Sequence, residues 1–455
     1  MLSFKNNDII QSMIKIILSI FNYLHGMGFH RVLLMSISYF ILFIAIYIQN
    51  KYILLGALLW IIVLLPLIGP PGMLVWLANA WLRYVRSNFF FNKDKVVLEV
   101  KIPRIIMKSP KAMETVFNGL MVAPKEGTFI ARWWNGSVRP TYSFEIASFE
   151  GELHFYVVTR AEFKGYVESN IYAQYPDVEI IEVEDYTSGL NYDKNKMEAL
   201  AIEYGLAKSD ALPIKTYVDY EVDKIPSKPD QRVDPLSSVF ETLANLGPGE
   251  MYWLQLVMRR DKDKRRKPGT LFTFEHRVHG EARDMMEKLY GKMVETTLPD
   301  GSKYKGATKL RPHEEEQIEA LSKTLEHDGI DVGIRLLYIA KKESFKPERI
   351  APPMVKLWRE FKSGVLNSIK PTKGHPVLDY PWQDFNNIRA HHMSKKFIDA
   401  YKRRSFFYHP YIHRYSVMTP EEVATIYHYP TEETKTPGLP RIQSKKSEAP
   451  ANLPV

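Results

Sequence analysis

Val96–Leu120, VVLEVKIPRIIMKSPKAMETVFNGL, decides the fold. Leu98, Val100 and Ile102 alternate with Glu99 and Lys101, which is the period-two pattern of a half-buried strand. Ser109-Pro110 then supplies an N-cap and a first-turn proline. Met113, Val116, Phe117 and Leu120 follow at i, i+3, i+4 and i+7, one apolar stripe of a helix. Downstream, Tyr142, Phe144 and Ile146 alternate, Glu150-Gly151 forms a turn, and Leu153–Val158 reads as the next strand. Thr159 and Glu162 make a capping box before a helix with stripe Phe163, Tyr166, Val167 and Ile171, and Val178–Val183 closes the unit. The order β-α-β-β-α-β predicts a ferredoxin-like unit over residues 96–205, with an antiparallel sheet covered on one face by two helices.

A second α+β unit is expected over 206–430. Thr216, Val218, Tyr220 and Val222 alternate, and Asp234-Pro235 caps a helix with stripe Leu236, Val239, Phe240 and Leu243. The pattern VF-x-x-L at Val116–Leu120 recurs at Val239–Leu243, a weak internal repeat. Met251–Met258 and Val332–Ala340 read as strands, and Met354, Leu357, Trp358 and Phe361 as a second helix stripe. Between the strands, about 259–330 forms an insertion with one helix near Glu281–Met293 and an acidic one near His313–Leu325. Residues 431–455, with prolines at 437, 440, 450 and 454, read as a flexible tail.

Residues 1–95 read as a membrane anchor. Val32–Gln49 carries no charge, and neither does Tyr52–Leu82, whose first part, Tyr52–Gly69, is long enough to span. Gly69-Pro70-Pro71-Gly72 is expected to break the second helix. The short Asn50-Lys51 connection makes the pair a transmembrane helical hairpin. Lys5, Lys15 and Arg31 lie before it and Arg83, Arg86, Lys93 and Lys95 after it. The positive-inside rule therefore places both ends in the cytoplasm of a multi-pass protein of the cell membrane. Met73–Val85, with Trp76, Trp81 and Tyr84, and Ile9–Tyr23 are expected as interfacial helices along the lipid bilayer. An apolar core segment is the alternative; a cleaved signal peptide fits worse because a second apolar run follows.

The absence of cysteine excludes disulfides, thiolate nucleophiles and cysteine metal sites. A net charge of +9 favours phosphates or anionic lipid as partners. No G-x-x-x-x-G-K-[ST], H-E-x-x-H or G-x-S-x-G occurs, so neither a P-loop nor any other recognisable catalytic motif is present, and no cofactor or metal is expected. Histidines fall late, at 391, 392, 409, 413 and 428. His409 and His413 have the i,i+4 spacing of a helical metal site, but Pro410 between them favours an extended segment and structural histidines. The run RRDKDKRRK offers Arg259, Arg260, Lys262, Lys264, Arg265, Arg266 and Lys267 as candidate contacts to nucleic-acid or lipid phosphates, or else a solvated loop. No aromatic residue interleaves them, which argues against a base-stacking platform. Glu314, Glu315 and Glu316 read as an exposed helix face.

ESNIYAQYPDVEIIEVEDYT (168–187), DALPIKTYVDYE (210–221), EEVATIYHYP (421–430) and SKKSEAPANLP (444–454) give the chain a family likeness. It resembles the N-terminal, membrane-linked, non-ATPase region of conjugation-type and type IV secretion-like ATPases of small-genome bacteria. In that family an Asn-Leu-Pro-like stretch leads into the P-loop domain, whereas this sequence stops at Val455. The resemblance implies a membrane-anchored, non-catalytic component of a translocation machine, presenting its α+β units to an ATPase encoded separately. A homo-oligomeric ring is a further expectation. The rivals are a membrane-attached nucleic-acid-binding protein using Arg259–Lys267 and a metal-dependent enzyme built on the late histidines.

Overall fold

A computed structural model describes residues 38, 40–42, 44, 51–103, 108–121, 128–223, 234–267, 273–290, 293–297, 303–307, 310–375, 382–430 and 441–442. The chain divides into two compact units, Met1–Leu82 and Arg83–Val455. Lys51–Phe91 is one continuous helix of 41 residues, α1. Among the described residues no helix is long and apolar enough to cross a membrane. That finding overturns the expected transmembrane hairpin, and with it the multi-pass location and the membrane character assigned to the chain. Val32–Gln49 lies almost wholly outside the described residues, and Ile9–Tyr23 lies wholly outside them. Gly69–Gly72 does not break the second segment but lies within α1, and Met73–Val85 is its continuation rather than a separate interfacial helix. From Pro70 onward α1 meets Asn79, Arg83, Arg86 and Asn88 within about 20 residues, the length a lipid-spanning run must keep apolar.

The second unit is α+β. Its elements run β1 (Lys95–Pro103), α2 (Pro110–Met121), α3 (Phe129–Trp133), β2 (Tyr142–Phe149), β3 (Glu152–Arg160), α4 (Lys164–Gln174), β4 (Glu179–Val183), β5 (Met197–Leu206), α5 (Leu236–Ala244) and β6 (Glu250–Arg260). An insertion follows: β7 (Lys264–Arg266), β8 (Phe274–His276), α6 (Arg277–Tyr290), β9 (Met293–Thr297), β10 (Lys303–Ala307) and α7 (Pro312–Glu326). The chain then returns through β11 (Ile330–Lys341), α8 (Pro347–Lys356), β12 (Ile369–Gly374), α9 (Ile388–Lys402), β13 (Ser416–Met418), α10 (Pro420–Ile426) and β14 (Arg441–Ile442).

Pairing resolves these strands into two copies of one topology. In the first copy β4 pairs β1, β1 pairs β3, and β3 pairs β2, all antiparallel. In the second, β12 pairs β5, β5 pairs β11, and β11 pairs β6, again antiparallel. Each copy thus has spatial order 4-1-3-2, the arrangement of a ferredoxin-like unit. The two copies join through their second strands, with β2 antiparallel to β6 from Tyr142↔Met258 to Phe149↔Met251. One continuous sheet results. The pairing also removes an open edge from each copy, the feature that invites unwanted strand addition. The VF-x-x-L repeat marks the first helix of each copy: Val116, Phe117 and Leu120 on α2 and Val239, Phe240 and Leu243 on α5 are all fully buried.

One strand differs from expectation. Thr216–Val222 lies mostly in turns, and the first strand of the second copy is β5. In β5 the alternate positions Ala199, Ala201 and Glu203 face a packed interior too, so no polar face announces it. The side chains of Leu98, Val100, Phe144, Ile146, Phe155, Val157, Leu254, Leu256, Ile334 and Leu336 form the main core together with α2, α4, α5, α8 and α10. Across the sheet, Trp253, Leu337 and Ile339 pack with Phe397, Ile398 and Tyr401 of α9. The insertion is stitched by Val278 and Ala282 of α6 against Ala320 and Leu321 of α7.

Candidate functional site

Seven strands each contribute one polar side chain to a single line, set by the strand register. Glu99 lies opposite Tyr156, Tyr156 opposite Glu145, Glu145 opposite Gln255, and Gln255 opposite Arg335. Arg335 in turn lies opposite Glu203, and Glu203 opposite Lys373. The row crosses β1, β3, β2, β6, β11, β5 and β12, passing over the seam between the two copies. Its centre is dry: Glu145, Gln255 and Arg335 are fully buried and Glu203 is nearly so. A buried charge is tolerated only with hydrogen-bonded partners, and here they are in place. Gln255 Nε2 donates to Glu145 Oε1 at 2.9 Å and its carbonyl accepts from Arg335 Nη1 at 3.2 Å. Arg335 Nε donates to Glu203 Oε1 at 2.9 Å, and Nη2 donates to the Ser405 carbonyl at 3.2 Å.

The segment after α9 flanks the buried centre of this row on both sides, at Glu145 and at Glu203. Arg404 donates Nε to Glu145 Oε1 at 3.1 Å and Nη2 to Asp185 Oδ1 at 3.0 Å. Its backbone is left-handed, φ 52°, as the Schellman end of α9: its N–H donates to the Tyr401 carbonyl at 2.8 Å and that of Ser405 to the Ala400 carbonyl at 3.0 Å. Burial alone lowers the Arg404 guanidinium, but Glu145 and then Asp185 outweigh it and hold it well above the ordinary value. At the other end His413 Nδ1 contacts Glu203. Burial pushes the Glu203 carboxyl up, and His413 with Arg335 reverses this, leaving it below the usual range. Tyr186 donates to Glu145 Oε2 at 2.8 Å and shares a hydrogen bond with Tyr401 at 2.8 Å.

Beside Arg404 the surface opens into a cleft of about 80 Å³, lined by Ser87, Phe90, Lys95, Thr141, Arg403, Arg404 and residues 405–410. A smaller hollow shares Phe90, Lys95, Thr141, Arg403 and Arg404 and adds Lys93, Thr159 and Arg160. Lys95 sits at the start of β1, and its Nζ donates to the Arg403 carbonyl at 2.9 Å. The protein packed around this amine, and then Arg404, lower it to about 8. The neighbouring cations have carboxylate partners: Lys93 and Arg160 meet Glu162 at 3.0 and 3.2 Å, and Arg403 meets Asp399 at 2.8 Å. The Thr159 hydroxyl is buried with no hydrogen-bond partner.

The seven basic residues of 259–267 are not gathered into one face. Arg259 is buried on β6, paired with Asp331 at 2.7 Å and set 4.3 Å above the Phe407 ring. Arg260 meets Asp328 at 2.6 Å, and Arg265 bridges Glu275 at 2.9 Å and Asp284 at 2.6 Å. Lys264, Arg265 and Arg266 form β7, paired to β8, instead of a projecting loop. Lys262, Lys264, Arg266 and Lys267 are exposed. Burial, with Asp261 adding to it against the pull of Arg259, pushes Asp331 up to about 7.

The late histidines are also dispersed. His428 is buried between Asp234 Oδ2 and the Ala424 carbonyl, both at 2.9 Å, and His391 meets Tyr192 at 2.9 Å. His409 lines the cleft, His413 joins the polar row, and His392 is exposed. Among the described residues no three His, Asp or Glu side chains gather where a metal could be held. Glu314 is buried in α7's own capping box instead of lying on an exposed face, and Glu315 and Glu316 are exposed. The row and the cleft escape motif reading, but the row leaves a trace in two strands, where a lone polar residue interrupts an apolar run: MYWLQLVM and VGIRLLYIA. No protein-family model matches the chain, and comparison with curated proteins finds no match.

Proposed function

We propose that the chain is a non-catalytic platform that presents its two fused ferredoxin-like units to a P-loop ATPase. The observation that carries this reading is the polar row across the β2–β6 seam. Glu145, Gln255, Arg335 and Glu203 hold the two copies in one register, and their donors and acceptors are engaged with one another. Such an arrangement favours rigidity over chemistry, and rigidity is what a presenting surface requires.

The stretches that carry the family likeness add support, because two of them meet. Ile214 N–H donates to Glu422 Oε1 at 2.9 Å, and Tyr217 N–H donates to the Thr425 hydroxyl at 2.9 Å. Residues 210–221 and 421–430 therefore form one joint, an architectural role for those segments. The test is site-specific photo-crosslinking in cells from the exposed positions Glu241 on α5 and Lys356 on α8. Recovery of a P-loop ATPase joined at either position supports the platform. Products containing only further copies of this chain, or none at all, refute an ATPase partner on this face.

A further inference from the structure

We propose that the chain associates head to tail with further copies of itself, the acidic β4 end of one sheet meeting the basic β12 end of the next. The strand order β4-β1-β3-β2-β6-β11-β5-β12 separates these ends by seven spacings, about 34 Å. At the β4 end Asp177, Glu179 and Glu184 are exposed and have no cationic partner among the described residues, while Glu182 is answered by Lys164 at 2.6 Å. At the β12 end Lys370 is exposed on the strand itself. There α9 is held against β12 by His375 Nε2 and Ser394 Oγ at 2.9 Å and by the Phe397 ring, 5.6 Å from Lys373 Nζ. That packing turns Ser394 and Phe397 inward, so Lys395 and Lys396, with Arg389 and His392, form the outer face of the helix. The carboxylates of this segment are engaged. Asp384 accepts from the Arg389 and Ala390 N–H groups at 2.8 Å, and Asp399 binds Arg403 and Tyr411.

The two ends cannot neutralise each other within one molecule, because their separation is several times the screening length of about 8 Å at physiological salt. A second copy brings the opposite sign to each end. Both edges also resist an added strand. The Ile180 N–H on β4 is taken by the Tyr172 hydroxyl at 3.2 Å, and on β12 Pro371 has no N–H and the pairing is bulged beside it. Contact therefore runs through side chains, and apolar ones are available on both sides. Tyr172 is 40% exposed at the acidic end, and Phe385 and Ile388 are 70% and 63% exposed where the chain enters α9. Two different surfaces of one chain make a heterologous contact, which propagates from copy to copy. The inference concerns the ends of the sheet and is independent of the ATPase reading, whose test lies on α5 and α8.

The test is sedimentation velocity of the full chain over a concentration series, repeated on Glu179→Lys/Glu184→Lys, on Lys395→Glu/Lys396→Glu, and on all four substitutions together. Wild type is expected to associate at low salt and roughly tenfold more weakly at high salt. Each two-site variant should lose roughly tenfold or more in affinity, because like charges then face each other. The four-site variant exchanges the signs and should recover association, which shows that the losses come from charge and not from misfolding. A wild type that stays monomeric at low salt, two-site variants that associate as wild type does, or a four-site variant that stays monomeric each overturns the proposal. Phosphatidylserine vesicles give the remaining outcome. Vesicle binding that is lost in Lys395→Glu/Lys396→Glu while self-association persists assigns the basic face to lipid and overturns the proposal too.

Discussion

Replacing Arg335 by Met tests how the two halves of the sheet are held. Arg335 is completely buried, and its Nη2 lies 2.8 Å from Glu203 Oε1. At that distance, with an effective dielectric of about 20, the gross attraction is about 6 kcal/mol. Desolvation of both ions offsets much of it, so the pair adds little over a well-packed apolar pair. The single substitution is different, because it strands Glu203 in the interior with His413 alone. It also leaves the Gln255 and Ser405 carbonyls without donors. Breaking one side of such a pair costs about 3–5 kcal/mol. Urea unfolding at pH 7 should show that loss as a lower midpoint with an unchanged slope. The double variant Arg335→Met/Glu203→Gln should recover more than half of it. A loss under about 1 kcal/mol in the single variant, or no recovery in the double, refutes the row as the lock.

Three other variants probe separate joints. Glu422 is buried in the cap of α10, and burial pushes its carboxyl up to about 7. Because the folded value lies above the unfolded 4.5, its favourable share of stability is complete below pH 4.5 and disappears as pH rises towards 7. The difference between Glu422→Gln and wild type should therefore move in favour of Gln by up to about 3 kcal/mol from about pH 5 to 8, read from melting curves; a constant difference across that range contradicts the assignment. Gly333 on β11 faces the Phe406 ring so closely that an added Cβ would lie 2.4 Å from it, so Gly333→Ala should destabilise by about 1–3 kcal/mol in urea unfolding, and an unchanged midpoint refutes that packing. Lys264→Ala/Arg266→Ala, both exposed, should shift stability by less than about 0.5 kcal/mol in the same assay, whereas a larger loss would mean that β7 is held by those side chains.

The helices were legible because their stripes are local: the 3.6-residue period in Met113–Leu120 and Leu236–Leu243 is readable without knowing the neighbours. Strands with one polar face, such as β1, were legible for the same reason. β5 was not, since a central strand buried on both faces loses its alternation, and Glu203 breaks the apolar run where it serves the row. The row itself is a product of register among strands as far apart as Glu99 and Lys373, which no window of sequence contains. The cleft joins β1 to residues 403–410 across a similar distance. At the N-terminus, hydropathy alone overstated its case, because Gly69–Gly72 stays helical and the helix runs on into Asn79, Arg83 and Arg86.

Amide hydrogen exchange across the β2–β6 seam tests the fused sheet most directly. Ile146 and Leu254, paired across the seam, should exchange as slowly as interior amides of β3 and β11, through global unfolding alone. Exchange of the seam amides orders of magnitude faster than those strands would show that the two copies part in the native state, and that no single sheet exists to be presented.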